Sequence, residues 1–321
     1  MLFPRIPAIA QHCVRSPHPV RKISSSRPLS THQLGNDGPG LETWATIERL
    51  KQLSPSTTEL RLRLDERANG NDVTFFPGQW VDFFIPGLSH IGGYSIISLP
   101  SELPWLDLAV KASAHPAAFW CTSRAKVGDR VAVRVGGEFG RTLCDATNSL
   151  FIAGGVGINP LYSMLRELSE GRRLSDQADR GRMALLYTAR SRDELLFVDQ
   201  LESFARALPD SLRICFHVTR EPIDTVDASC GMCGYIGRRL DETDLEVALR
   251  WLGCEPCEVQ QGVPGVPWRS ESKRRIPDTA SPGCCAAQLG AFVCGPPQMT
   301  NETVTTLRRM GVTEVAIEKW W

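Results

Sequence analysis

"LFIAGGVGINPLYSML", residues 150–165, decides the fold. It opens as an apolar run of buried-strand length and closes with the period of an amphipathic helix. Between the two stand Gly154, Gly155, Val156, Gly157, Ile158, Asn159 and Pro160. Glycines let a chain turn tightly and let a ligand approach where a Cβ would collide. Asn159 reads as an N-cap, and Pro160 as the first helical residue, where a missing N–H does no harm. A helix starting there aims free N–H groups and a partial positive charge at whatever lies in front, which suits a diphosphate. The same turn would also serve only to bring strand and helix close together. One glycine-rich turn does not choose between these readings.

Working outward, the downstream chain alternates. "MALLYTA" (183–189), "LRICFHVTR" (212–220), "AFVCG" (291–295) and "EVAIEKWW" (314–321) read as strands. Helical patterns occupy 160–171, 193–208, 241–253 and 299–311. This spacing predicts that residues 148–321 form a doubly wound parallel-sheet α/β domain. Upstream, residues 42–146 read as short strands between turn residues. "TELRLRLD" (58–65) alternates apolar and polar, "PGQWVDFFIPG" (77–87) is bounded by Pro-Gly pairs, and "LDLAVKAS" (106–113) and "DRVAVRVGG" (129–137) follow. Such a pattern predicts a small antiparallel β-barrel. Residues 253–290 hold five Pro, five Gly and four Cys without hydrophobic period. They are expected to be an irregular surface insertion.

Composition narrows the class. The chain has 321 residues, room for two domains. With 36 basic and 36 acidic residues it carries no formal net charge, which gives no footprint for nucleic acid. No apolar run is long enough for a membrane-spanning helix, so no membrane span is expected. Residues 1–36 contain no Asp or Glu but carry Arg5, Arg15, Arg21, Lys22 and Arg27 among many serines. That composition predicts a mitochondrial transit peptide, disordered and outside any core. Eleven scattered cysteines are read as thiols of a reducing compartment. Cys230, Cys233, Cys254 and Cys257 approach a four-thiolate zinc spacing. A strand-like turn and a helix lie between the two pairs, so no metal site is predicted.

Four stretches then fall in one order: "GGYSIIS" (92–98), "GGVGINP" (154–160), "FVCGPPQMT" (292–300) and "AIEKWW" (316–321). In that order they resemble the ferredoxin–NADP reductase superfamily, which includes cytochrome b5 reductase and many oxygenase reductases. The resemblance covers residues 42–252 and 291–321. It implies that the barrel binds a flavin, FAD, with Tyr94 against the isoalloxazine and Ser95 at its N5 region. An aromatic face and a small hydroxyl supply stacking area and one polar contact that leaves hydride access open. The resemblance implies that Cys294 faces the flavin, while Gly295, Pro296 and Pro297 make a rigid turn that leaves room for a nicotinamide. It places Glu318 two residues before an aromatic, Trp320, that covers the flavin. Ser95, Cys294 and Glu318 are thus the candidate catalytic residues, and residues 154–160 the seat of the nicotinamide cofactor's pyrophosphate.

Two departures fall on the flavin phosphates. The family's phosphate-binding Arg is Gly92 here, and its second phosphate loop is "SAHPAAFWCTS" (113–123), with His115 the only candidate cation. After the second α/β strand come Arg190, Ser191 and Arg192. A basic residue there suits a 2′-phosphate and an acidic one a free 2′-hydroxyl, and solvated loop arginines are equally consistent, so NAD and NADP both stay open. The expected function is an NAD(P)H-dependent flavin oxidoreductase. Hydride passes from NAD(P)H to a bound flavin, and electrons go on to an unidentified acceptor. The departures motivate an alternative, a non-catalytic NAD(H) sensor that has lost flavin binding.

Overall fold

The computed structural model describes residues 42–66, 73–140, 148–173, 181–221, 233–254 and 289–319. The segment 1–36, nearly all of the insertion at 253–290, Trp320, Cys230, Cys257 and the side chain of Cys233 lie outside the described residues.

The first six strands are β1 (Thr43–Ser54), β2 (Thr57–Leu64), β3 (Trp80–Phe84), β4 (Gly92–Ser95), β5 (Trp105–Lys111) and β6 (Arg130–Gly136). They form an antiparallel sheet in the order β4-β3-β6-β1-β2-β5, and a bridge between Ile96 and Leu108 joins its outer edges into a barrel. The alternation of β2 works as its sequence requires. Leu60, Leu62 and Leu64 enter the core, while Arg61 and Arg63 turn outward to Asp107 and Glu48. Ala117, Ala118 and Cys121 of α1 (Pro116–Ser123) pack into the same core.

The second domain is built from β7 (Asn148–Gly154), α2 (Ile158–Arg173), β8 (Met183–Ala189), α3 (Val198–Ala207), β9 (Leu212–Val218), β10 (Cys233–Ile236), α4 (Glu242–Trp251), β11 (Leu289–Cys294), α5 (Pro297–Arg309) and β12 (Val315–Glu318). All neighbouring strands are parallel, in the order β10-β9-β8-β7-β11-β12. Alternate side chains of β7 serve different layers. Phe151 and Ala153 pack with Leu161 and Leu165 of α2 and Leu201 of α3. Leu150 and Ile152 pack with Leu245 and Leu249 of α4 and Val304 and Leu307 of α5. Helices therefore cover both faces, as a doubly wound sheet requires.

Beyond α1, a helix the sequence did not announce, two elements of the second domain differ from the sequence expectation. The helix predicted over 193–208 starts only at Val198. Leu195 and Leu196 are instead buried in the core, the Leu196 N–H donates to the Tyr187 hydroxyl at 2.9 Å, and Phe197 takes a left-handed φ of 61°. Burying two consecutive leucines pulls the chain off a helical path. The second difference is β10, a four-residue edge strand that periodicity over so short a run cannot reveal.

The domains share one core. Ile97, Ala109 and Phe139 of the barrel pack in the cluster that holds Phe151, Ile158, Leu161 and Phe292. Polar bonds cross the same seam. The Gly78 N–H donates to Ser163 Oγ at 3.1 Å, and Arg166 pairs with Glu102 at 2.8 Å.

Candidate functional site

β7 and β11 lie side by side, but α2 and α5, which follow them, go to opposite faces of the sheet. A crevice must open where adjacent crossovers diverge, beyond the carboxyl ends of the strands. A cleft of about 790 Å³ lies there. Gly154, Gly155 and Val156 line it from the turn, Arg190 from the end of β8, and Pro296 from the turn after β11. Lys111 reaches it from the barrel. These are the sequence-predicted residues that the structure brings together, with Lys111 added.

The three glycines of the turn are bare for different reasons. Gly155 has φ +56°, and a Cβ built there would meet nothing within 4 Å, so its bareness faces the cleft. A Cβ on Gly154 would lie 2.6 Å from Pro296 Cδ and 2.8 Å from Met299 Sδ. On Gly157 it would fall 2.5 Å from the Cys294 carbonyl carbon and 2.9 Å from the Gly295 N. Gly157 thus lets the turn lie against the end of β11. The sequence reading gave its bareness to a phosphate; the geometry gives it to packing. Of the three, Gly155 alone combines a left-handed backbone with open space.

Asn159 also needs correcting. It is not the N-cap, since the helix already includes Ile158. Asn159 is buried in the first turn, and its Nδ2 donates to the Ala109 carbonyl of β5 at 2.8 Å. It ties the nucleotide domain to the barrel. Gly157, Ile158 and Pro160 are likewise buried and do not line the cleft.

Tyr94, Ser95, Cys294, Gly295 and Glu318 do not line the cleft either. Ala153, Cys294 and Glu318 are neighbours across β7, β11 and β12. Burial, and then the Glu318 carboxylate, push the Cys294 thiol up. Burial raises the Glu318 carboxyl to about 7. Ser95 is buried opposite Trp80.

The Tyr94 ring meets Phe83 edge-on, 5.6 Å between centroids, and its hydroxyl lies 4.0 Å from the Cys121 thiol. Its ring also lies over Gly92, where a built Cβ would come within 2.5 Å of Cε2. Neither β4 nor α1 carries a Lys or Arg. The ring of His115 stands edge-on to His90 at 6.1 Å. Among the described residues, β4 and α1 supply no cation for a flavin's diphosphate. The cleft suits a nucleotide: a bare left-handed turn opens at a switch point, and Lys111, Arg190 and Arg239 line it together with the carboxylates Asp241, Glu242 and Glu302.

Several lining residues carry no motif. Lys111 ends β5, where its ammonium also pairs with Glu194 at 3.5 Å. Arg239, Asp241 and Glu242 come from the loop before α4 and its first turn. Asp244 of α4 accepts two hydrogen bonds from Arg238, at 2.6 and 2.7 Å, and one from the Asp241 N–H at 2.9 Å. Burial opposes the Asp244 carboxylate, but these bonds outweigh it and hold its pKa below the usual range. They fix that wall of the cleft. Of the predicted trio only Arg190 lines it. Arg192 lies over the Tyr235 ring at 4.6 Å, and Ser191 bonds Asp193. Among the described residues no His, Cys, Asp and Glu side chains group so as to hold a metal ion, and no helix is long and apolar enough to cross a membrane.

A closed antiparallel barrel joined to a doubly wound sheet, with a bare turn opening a cleft at the switch point, defines a reductase fold of the ferredoxin–NADP reductase type. The sequence profile of the oxidoreductase NAD-binding domain matches residues 151–246. Oxidoreductase NAD-binding domain-containing protein 1 of Danio rerio is 33% identical over 300 residues, which is 88% of this chain and 97% of that protein. Its Homo sapiens counterpart is 33% identical over 84% of this chain and 76% of its own length. The chain belongs to this family. Among solved structures, a ferredoxin NADP+ reductase from Neisseria gonorrhoeae with bound FAD and NADP has the same fold, with a TM-score of 0.62 and 17% identity. That match covers 87% of this chain and 99% of that one.

Proposed function

We propose that this protein is an NAD(P)H-dependent oxidoreductase that passes hydride to a flavin at the barrel, with electrons leaving to an unidentified acceptor. The observation that carries the reading is the cleft at the switch point, with Gly155 open to it. There the turn's backbone, Lys111, Arg190 and Arg239 would hold the nucleotide's phosphates and ribose, and the rigid turn at Gly295 and Pro296 would leave room for its nicotinamide. When bound, a flavin supplies the hydride acceptor. Ser95 and Cys294 would flank the ring, with Trp320 as its cover in the family resemblance. Glu318 would hold a proton near neutral pH, because its half-buried carboxyl titrates at about 7.

The test is spectroscopic. Purified full-length protein supplied with FAD should lose its flavin absorbance on anaerobic addition of NADH or NADPH. A protein that binds no flavin and bleaches none would sink the reading. A second reading, an NAD(H) sensor without flavin, is favoured by β4 and α1, which among the described residues bring no cation to Tyr94 and Gly92. Calorimetric titration with NADH and with FAD separates the two, since the sensor binds only the first. The acid-free segment 1–36 supports mitochondrial import, checked by whether a fusion of that segment carries a fluorescent protein into mitochondria.

A further inference from the structure

We infer that Glu194 is a built-in competitor at the nucleotide cleft: its carboxylate holds the Lys111 ammonium until a phosphate of the nucleotide draws that ammonium away. This rests on the reading that the cleft takes NAD(P)H, and it names a residue that sets how tightly. The first observation concerns charge. Three cations line the cleft, Lys111, Arg190 and Arg239, and so do three carboxylates, Asp241, Glu242 and Glu302. With no excess of positive charge, the hold on a phosphate depends on which cations are already committed. Among the described residues Lys111 is the only one of the three in an ion pair. Its partner, Glu194, is 3.5 Å away and does not itself line the cleft.

The second observation is how the carboxylate is held. Glu194 lies in the segment after β8, and the burial of Leu195 and Leu196 fixes its backbone. Its Oε2 accepts from Ser56 Oγ at 2.6 Å and from Ser54 Oγ at 3.4 Å, both where β1 turns into β2. Lys111 belongs to the same corner of the barrel. Thr57 of β2 stands opposite it, and the Ala112 N–H donates to the Ser56 carbonyl at 2.7 Å. Of the three bonds to Oε2, the one from Lys111 is the longest. The carboxylate therefore keeps its serine donors when the ammonium leaves. A half-buried carboxylate without them would resist that departure, because burying an unpartnered charge costs free energy.

The third observation is exposure. The Lys111 side chain is 37% exposed and that of Glu194 18%. A part-exposed pair at this distance is weak, and a charge-assisted bond from the same ammonium to a phosphate is stronger. The flexible lysine stem lets the ammonium turn from one anion to the other. The exchange leaves no charge unpaired: Lys111 passes to the phosphate, and Glu194 stays with Ser54 and Ser56. Nucleotide affinity is lowered by whatever the broken pair was worth.

The experiment is calorimetric titration of the full chain with NADH and with NADPH. The proteins are the parent, Glu194→Gln, Ser56→Ala, Lys111→Met and the double variant Glu194→Gln/Lys111→Met. Glu194→Gln keeps an oxygen for Ser56 and removes the charge, and should tighten binding by about two- to fivefold. Ser56→Ala makes the carboxylate depend on Lys111 and should weaken binding. Without Lys111 the gain from Glu194→Gln should vanish. A merely structural contact would loosen binding in both single variants, since each cuts the link between the barrel and the segment after β8. Glu194→Gln that weakens binding or leaves it unchanged, or that tightens it equally without Lys111, would overturn the inference and leave the nucleotide reading intact. So would Ser56→Ala that binds as tightly as the parent, a measurement that stands even where Glu194→Gln does not fold. A parent that binds neither nucleotide would overturn both.

Discussion

Gly157→Ala and Gly155→Ala, two residues apart in one turn, should fail in different ways. At Gly157 the new methyl would fall 2.5 Å from the Cys294 carbonyl carbon and 2.9 Å from the Gly295 N. These are backbone atoms at the end of a central strand, and they yield only if β7 and β11 spread. Overpacking against such a neighbour sits at the upper end of the usual range, about 3 kcal/mol. At about 2–4 °C per kcal/mol this is a fall in Tm of roughly 6–12 °C. At Gly155 the methyl meets nothing within 4 Å, but φ is +56°. The cost there is the left-handed backbone, about 1 kcal/mol, or a fall of roughly 2–4 °C. That methyl would stand in the cleft where phosphates approach, and one lost backbone contact corresponds to NAD(P)H binding weaker by about tenfold. Thermal unfolding and calorimetric titration of both variants give the four numbers. A Gly157→Ala protein that melts like the parent, or a Gly155→Ala protein that binds nucleotide like the parent, would refute the reasoning.

Other expectations can be checked on the same protein. Glu318 has a folded pKa raised to about 7, so its neutral form is favoured by folding. Its contribution to stability is full below the ordinary carboxylate pKa and is lost as pH rises through about 7. Glu318→Gln should therefore gain stability over the parent as pH goes from about 5 to about 8 in urea unfolding, and a constant difference would contradict this. Lys111→Ala removes a part-exposed cation from the cleft and should weaken NADH or NADPH binding by about three- to tenfold in calorimetry. Arg238→Met leaves the Asp244 carboxylate buried without its partner and should cost about 1–3 kcal/mol in urea unfolding. The double variant with Asp244→Leu should recover part of that loss, and no recovery would show that the ion pair is not the cause.

Much of the fold was legible because its signals are local and repeated. The inward leucines of β2 announce themselves by strict alternation. The strand–turn–helix at 150–165 carries its own punctuation. The doubly wound class followed from the alternation after Asn148. What stayed hidden depends on long-range contact. α1 has alanines, aromatics and a cysteine with almost no amphipathic period, so "PAAFWCTS" is revealed as a helix only where the barrel core receives Ala117, Ala118 and Cys121. Asn159 looks like a cap in any sequence, and only the Ala109 carbonyl across the domain seam makes it an interdomain tie. Gly157 was assigned to a ligand because sequence reveals that a Cβ is missing and not what stands in its path. At the site, Gly154, Gly155, Arg190 and Pro296 could be found from motifs. Lys111, Arg239 and Asp241 arrive from a strand and a loop far away in the chain, and no spacing rule joins them.

The hydrogen bond from Asn159 to the Ala109 carbonyl, and the apolar cluster around it, has a consequence for how the protein responds to nucleotide. Asn159 sits on the helix that follows the Gly154–Gly157 turn, and Ala109 sits two residues before Lys111 on a barrel strand. A nucleotide in the cleft would touch both sides of that joint at once. The free energy of its binding then adds to the stability of both halves together, by RT ln(1 + [L]/Kd), about 2.7 kcal/mol at a hundredfold excess over Kd. Amides of β5 that exchange with solvent only when the seam opens should slow in step with those of β7. The barrel would in this way sense occupancy of a site whose glycine turn belongs entirely to the other domain.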